Sequence, residues 1–313
     1  MIQPKQIILA LLVLSSSIIT AQDPIFSQPA LGNINLNTAL VGNDSAARLG
    51  LNSRYQWPNL NSPYITSSVN FYQFIPKLNA YAGINYMNDN QANGMLISND
   101  FSVFYSQNIN IKKVLFRPSL EFGIGNKNLD NSKLNYGDMT DPRRGFVWST
   151  QEHIPNSNKS YLNFNIGGMF YYKEILVGFS AHHINTPDVG LQGTSKIPIR
   201  YGLQLGYTIR FKKISVSPFV FYNQQQSFQS LVGGVNVLLF NHLNIAVSYR
   251  NSDAIITSIG YQNRFFKINY SYDYTTSSLR NANTGGSHEL GMAFKFWKVK
   301  TKKRFIGTSS IYS

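Results

Sequence analysis

The sequence predicts an all-β protein: a transmembrane antiparallel β-barrel of about fourteen strands, with short periplasmic turns and longer extracellular loops. Three observations lead there. Polarity repeats every two residues in segments about ten residues long, the connections between those segments tend to alternate short and long, and no apolar run reaches the roughly 20 residues of a membrane-spanning helix. The longest uninterrupted apolar run is Ile7 to Leu14.

The clearest strand is 199–211. Its odd positions are Ile199, Tyr201, Leu203, Leu205, Tyr207, Ile209 and Phe211, and its even positions are Arg200, Gly202, Gln204, Gly206, Thr208 and Arg210. Since successive side chains of a strand point to opposite faces, one face is apolar and the other polar. The same alternation places strands at 48–57, 64–74, 79–87, 97–108, 114–125, 160–172 and 175–183. It then continues through 199–211, 214–222, 228–240, 243–249, 254–262, 266–274 and 288–297.

Short turns are expected at 75–78, 109–113, 173–174, 212–213, 241–242 and 263–265, and longer connections at 88–96, 126–159, 184–198, 223–227 and 275–287. Outer-membrane barrels sort their connections in this way, with short turns on the periplasmic rim. Two brief connections, 58–63 and 250–253, fall on the outer rim by parity alone. Aromatic residues at strand ends, including Tyr55, Trp57, Tyr171, Tyr172, Phe211, Phe240, Tyr249, Tyr272, Tyr274, Phe296 and Trp297, are expected to form interfacial girdles.

The ends of the chain read differently. Residues 1–21 have Lys5, the apolar run, a Ser-rich stretch and Thr20-Ala21 before Gln22, the build of a secretory signal cleaved after Ala21. Residues 22–44 are then a periplasmic N-terminal segment or plug, 45–298 the outer-membrane barrel, and 299–313 a basic periplasmic tail with Lys300, Lys302, Lys303 and Arg304. The absence of cysteine removes lipoprotein anchoring, disulfides and thiolate metal sites together. The net charge of +14 favours acidic partners or lipopolysaccharide contact, with outer-membrane lipid as a partner, and export makes nucleic acid an unsuitable partner.

No nucleotide loop, zinc motif or nucleophile elbow is present, so no cofactor, metal or catalytic residue is assigned. Gly123-Ile124-Gly125 falls inside a strand, where glycine relieves crowding. His182-His183, read as strand, would point to opposite faces and could not chelate one metal together. The polar face of the lumen is assigned Arg48, Arg54, Arg117, Glu121, Arg200, Arg210, Lys267, Asp273, Glu289 and Lys295, which either tune a channel or pair to pack a filled lumen. The connection 126–159 concentrates Asp130, Asp138, Asp141, Arg143, Arg144, Trp148, Glu152 and His153. From it Asp138, Asp141, Arg143, Arg144 and Trp148 are the candidate partner-binding residues, because long connections on a barrel rim gate, plug or bind.

Several segments in order resemble the PorP/SprF family of type IX secretion system outer-membrane proteins. They are Gln22-Asp23-Pro24 with Phe26-Ser27-Gln28, Asn37, Ala39 and Gly42, where Thr38 stands for the family's usual proline. Then come Arg48, Arg54, Gln56 and Trp57, the 181–187 stretch with both histidines, and Ser248-Tyr249-Arg250 with Asp253-Ala254. The closing motif is Tyr270-Ser271-Tyr272-Asp273-Tyr274-Thr275, with Leu279 and Gly285-Gly286-Ser287-His288-Glu289. The resemblance runs from about Gln22 to Trp297. It implies a noncatalytic barrel that works with other type IX secretion components. Such a barrel is either tied to the periplasmic motor and ring, or is a dedicated partner that helps secrete and hold a large adhesin-like cargo through its C-terminal sorting domain. The competing functions are a diffusion channel or small-molecule transporter, which needs an open lumen, and an outer-membrane lipase or protease, for which no Ser/His or carboxylate constellation assembles.

Overall fold

Fourteen antiparallel strands close on themselves in the computed structural model. The structure describes residues 23–28, 33–42, 45–134, 136–141, 143–146, 148–150, 157–191 and 193–298. The expected signal 1–21, the tail 299–313, Glu152 and His153 lie outside them.

In chain order the strands are β1 (Ala46–Gln56), β2 (Tyr64–Ile75), β3 (Ala80–Gln91), β4 (Leu96–Gln107), β5 (Val114–Leu129), β6 (Asn158–Tyr172) and β7 (Ile175–His182). They continue as β8 (Arg200–Tyr207), β9 (Ile214–Gln225), β10 (Phe228–Leu239), β11 (Leu243–Arg250), β12 (Ala254–Gln262), β13 (Phe266–Thr275) and β14 (Ser287–Lys298). Ile109–Ile111 prolongs β4 and Ile209–Arg210 prolongs β8. Each strand pairs with its sequence neighbours. The ring closes between the first and the last, with Asn52 opposite Gly291 and Arg54 opposite Glu289. Closure leaves no unpaired strand edge, which a sheet immersed in hydrocarbon requires.

The burial pattern is inverted relative to a protein that folds in water. Leu120, Leu203, Leu205, Val247 and Ile259 stand on the outer face, and Leu120 is 64% exposed. Asn52, Asn70, Ser102, Gln204, Ser217, Asn236 and Ser271 are buried on the inner face. An outer wall of this composition is stable only when lipid covers it.

Two sequence expectations are corrected here. The connections 88–96 and 223–227 are shorter than expected, because β3 runs to Gln91 and β9 to Gln225. The polar residues Asn88, Asp89 and Asn90, and Asn223 and Gln224, continue the ladder. The reversals then use positive-φ residues, Ala92, Asn93 and Gly94 in one and Gln226 in the other. The large connections on that rim are therefore 130–157, 183–199 and 276–286. Tyr171 does not join a girdle. Successive residues of a regular ladder alternate faces, so Tyr172 is exposed and Tyr171, 1% exposed, turns into the barrel.

The inner wall is also not uniformly polar. It carries two apolar clusters, seated mostly toward the short-turn rim, with Phe221, Val232 and Ile256 reaching up to the level of Arg250. One has Leu115, Met169, Tyr171, Leu176, Phe219, Phe221, Val232 and Ile256, and the other has Tyr72, Phe74, Tyr81 and Phe104. What these clusters pack against is the chain's own beginning.

Candidate functional site

Residues 23–28 and 33–42 lie inside the barrel. They run from the long-connection end, near the last residues of β1, β11 and β13, down to the short-turn end, where β1 begins. Over 33–42 the segment forms one helical turn, Asn33–Leu36, and a 3-10 turn, Thr38–Leu40. Asn37 caps the second turn by accepting from the Ala39 N–H at 2.9 Å, the ordinary device for satisfying an exposed helical donor. Its amide donates outward to the Phe179 carbonyl and to Gln204 Oε1, both at 2.9 Å, so one side chain shapes the turn and fastens it to the wall. The wall makes room: a Cβ on Gly167 would stand 2.1 Å from Asn37 Oδ1.

Apolar contact holds the lower part. Ala39, Leu40 and Val41 are fully buried, with Ala39 and Leu40 in the larger cluster and Ile34 and Val41 in the smaller. Burying a Leu or Val side chain contributes about 1.5–3 kcal/mol. Arg117, 0% exposed, donates to the Val41 carbonyl at 2.6 Å and the Ala39 carbonyl at 3.3 Å. Its guanidinium lies 5.0 Å from the Tyr81 ring and 5.2 Å from the Tyr171 ring, which compensates part of its desolvation.

Charge holds the upper part. Arg54 pairs with Asp273 at 2.9 Å and Glu289 at 3.5 Å, and Arg250 with Asp253 at 2.9 Å and Asp273 at 3.3 Å. Ser27 sits at the junction: its hydroxyl accepts from Arg54 and, at 2.8 Å, from Arg250, and donates to Asp273 at 2.5 Å. Glu289 accepts the backbone N–H of Ser27 at 2.6 Å and of Gln28 at 3.2 Å, and the Asn52 amide at 3.1 Å. Nearer the rim Asp23 meets His183 Nε2 at 2.7 Å and Arg200 at 3.1 Å. Buried ions are tolerated only when so paired and hydrogen-bonded.

Arg48, Arg54, Arg117, Arg200, Asp273 and Glu289 are buried on the inner face, and Glu121, half-buried, accepts from Ser102 at 2.6 Å. Arg48 stands opposite Lys295 at the short-turn end, and Lys267 is buried on β13. Arg210 is a correction. It keeps inward parity but lies past the last full rung of β8, exposed at the rim and paired with Glu174 at 3.2 Å. The histidine expectation is corrected too. The strand stops at His182 and His183 has φ +58°, so both rings turn inward, 6.5 Å apart. His182 Nε2 meets the Leu36 carbonyl at 3.0 Å and His183 meets Asp23 and Asn163, so their partners are protein oxygens.

The 130–157 connection stands on β5 and β6, which at 16 and 15 residues are the longest strands. It carries a small two-stranded unit, Thr140–Asp141 with Gly145–Phe146. Asp141 accepts the backbone N–H of Arg143 at 2.7 Å and of Arg144 at 2.8 Å, closing the turn between them. Asp138 accepts from Thr150 at 2.9 Å. These two acids shape the loop, while Arg143, Arg144 and Trp148, the last 54% exposed, face outward.

Neighbouring connections brace this loop. Asp130 N–H donates to the Met95 carbonyl at 2.8 Å, and Lys133 reaches the Asn93 carbonyl at 2.9 Å. Lys159, at the foot of β6, pairs with Asp188 of the 183–199 connection at 3.0 Å. Asp188 also accepts the N–H of Ser195 and of Gly190, and these bonds hold its carboxyl down at about 2, against an ordinary 3.8. A lowered folded-state value means the contribution is complete above about pH 4 and is lost as pH falls toward 2. Asp188→Asn should therefore lower the hydrogen-exchange protection of the 184–198 amides at neutral pH, measured against their intrinsic rates at that pH. Equal exchange at pH 7 would show that the carboxylate does not organise the loop.

Among the described residues, no group of three or more His, Asp or Glu side chains is placed to hold a metal ion. A family model described as "Type IX secretion system membrane protein PorP/SprF" matches residues 18–294. A comparison with curated protein sequences returned no match. Among solved structures the chain is similar to the outer membrane protein Omp33 of Acinetobacter baumannii, at 7% identity and a TM-score of 0.47, over 82% of this chain and 100% of that one. It is also similar to a FadL homologue of Pseudomonas aeruginosa, at 10% identity and a TM-score of 0.47, over 87% of this chain and 97% of that one. A third similarity is to outer membrane phospholipase A of Escherichia coli, at 11% identity and a TM-score of 0.34, over 88% of this chain and 99% of that one.

Proposed function

The chain belongs to the PorP/SprF family of type IX secretion system membrane proteins, and from that premise we propose that it is a noncatalytic outer-membrane barrel that docks a secreted cargo protein at its long-connection rim. The observation that carries this reading is the occupied lumen. An inner wall with apolar clusters at Leu115, Met169 and Phe219 and at Tyr72 and Phe104 suits a packed polypeptide and would be a poor lining for a water-filled diffusion channel. With the interior taken up, the surface left for a large partner is the rim.

There the braced 130–157 connection presents Arg143, Arg144 and Trp148, residue types that dominate binding energy at protein interfaces. The partner is a cargo protein engaged through its C-terminal sorting domain, in concert with other type IX secretion components, while outer-membrane lipid holds the barrel upright. Export by a cleaved signal over 1–21 belongs to the same reading.

Mild-detergent affinity purification of the full-length protein from its own outer membrane, beside a variant with 130–157 replaced by a short linker, tests it. Full-length protein should bring down one large secreted protein with a C-terminal sorting domain, and the variant should lose it while still migrating as a folded barrel. Recovery of periplasmic ring and motor proteins instead would make the barrel a machine component. Equal recovery of cargo by both would remove the loop from the docking surface.

A further inference from the structure

The short-turn rim carries a charge pattern that the docking surface does not use. Lys77 lies in 76–79, Lys112-Lys113 after Ile111, Lys173 in 173–174, Lys212-Lys213 before β9, Arg264 in 263–265, and Lys298 ends β14; all are exposed. His242 occupies the equivalent place in 240–242. Glu174 is the single acid at this rim among the described residues, and it is paired with Arg210. The opposite rim mixes signs, with Asp130, Asp138, Asp141, Asp188 and Asp253 among Lys133, Arg143, Arg144 and Lys159.

Each basic turn also has a large exposed apolar side chain beside it. Leu78, Ile111, Phe211, Phe240, Phe265 and Trp297 are exposed, most above 60%. Lys173 lies 5.5 Å from the Tyr172 ring and Arg264 5.7 Å from the Phe265 ring.

We propose that this rim is a binding ring for anionic glycerophospholipid headgroups of the leaflet it faces, which in outer-membrane barrels is the periplasmic one. The geometry selects lipid over protein. A protein partner would cover one side, whereas cation and apolar ring recur at turn after turn around the whole circumference, and only a leaflet surrounds a barrel in that way. The chemistry fits as well. Aromatic and aliphatic side chains sit at the glycerol level while lysine stems extend along them and place the ammonium at the phosphate, an attraction that salt screens. The inference rests on the chain being an outer-membrane barrel and is independent of the cargo-docking reading.

Trp297 is a reporter in place, since the chain's other tryptophans, Trp57 and Trp148, belong to the long-connection side. Full-length protein carrying Trp57→Phe and Trp148→Phe is reconstituted in phosphatidylcholine vesicles with increasing brominated phosphatidylglycerol, and compared with brominated phosphatidylcholine. The anionic lipid should displace the zwitterionic one around Trp297 with about a threefold preference at low salt, shrinking at high salt. Changing Lys77, Lys112, Lys113, Lys173, Lys212, Lys213 and Lys298 to Gln, together with Arg264→Gln, should lower the preference with the barrel still heat-modifiable on gels. A companion protein with Trp57 as sole emitter should show no preference. Equal quenching of Trp297 by both lipids at low salt would overturn the proposal, as would an equal preference at Trp57.

Discussion

A chain from which residues 23–42 have been removed should pass steady ionic currents in a planar bilayer, where the full-length protein passes none or far smaller ones. The segment's described parts, 23–28 and 33–42, lie inside the barrel, joined to β13 and β14 by Ser27 and Gln28, to β6 and β7 by Asn37, and to β5 through Arg117. Eight-stranded barrels fill their interior with wall side chains alone, and barrels of 16 to 18 strands leave an aqueous channel. At fourteen strands the interior is intermediate, and here a length of polypeptide takes it up. Without it, Arg54, Arg250, Asp273 and Glu289 face water and Leu115, Met169 and Phe219 become wetted. Indistinguishable conductance from the two proteins, each verified as a folded barrel, would falsify the occupancy.

The second large effect is expected from Arg54→Ala. Arg54 is 4% exposed and stands between Asp273 and Glu289, which are 2% and 1% exposed. Removing one partner from a buried ionic group leaves the remaining charges uncompensated and costs about 3–5 kcal/mol. Asp273 keeps Arg250, but Glu289 then relies on the N–H groups of Ser27 and Gln28 and the amide of Asn52. The double change Arg54→Met with Glu289→Gln should recover part of the loss, because it removes both charges, keeps the volume and leaves an amide oxygen to accept from the N–H donors around position 289. Urea unfolding in detergent micelles measures both. A single variant that loses less than about 1 kcal/mol, the size of an exposed ion pair, would mean that the network is solvated.

The wall was readable in the sequence because it obeys a period of two. Strands such as Arg200–Tyr207 and Phe266–Thr275 alternate without interruption, and parity puts Arg200, Lys267 and Asp273 on the inner face, where the structure has them buried. Parity fails at strand ends. Arg210 is inward by counting but has no wall above it, and His183 leaves the strand at a positive φ. It also cannot see that Asn88 to Asn90 remain in the ladder, since polar residues beyond the lipid look like loop. What fills the barrel was harder still, because 23–42 has no periodicity and its partners lie far along the chain. A signal was nonetheless present. The segments that carried the family resemblance, with Ser27, Gln28, Asn37, Arg54, His183, Arg250, Asp253, Asp273 and Glu289, are the ones that meet in the lumen network.

The course of the N-terminal segment constrains the order in which the molecule can be built. Ser27 bonds Glu289 across 262 positions of sequence, and Glu289 belongs to the strand that closes the ring against β1. Those bonds cannot form until the last strand has been delivered, and contacts of such separation are the slowest to arise. Once β1 and β14 are hydrogen-bonded, the leading end can leave only lengthwise, through one mouth of the cylinder. The segment must therefore be enclosed at the moment of closure or thread in afterwards. A chain halted before its final strand would lack Glu289, and its first residues would have no carboxylate in that strand to hold them.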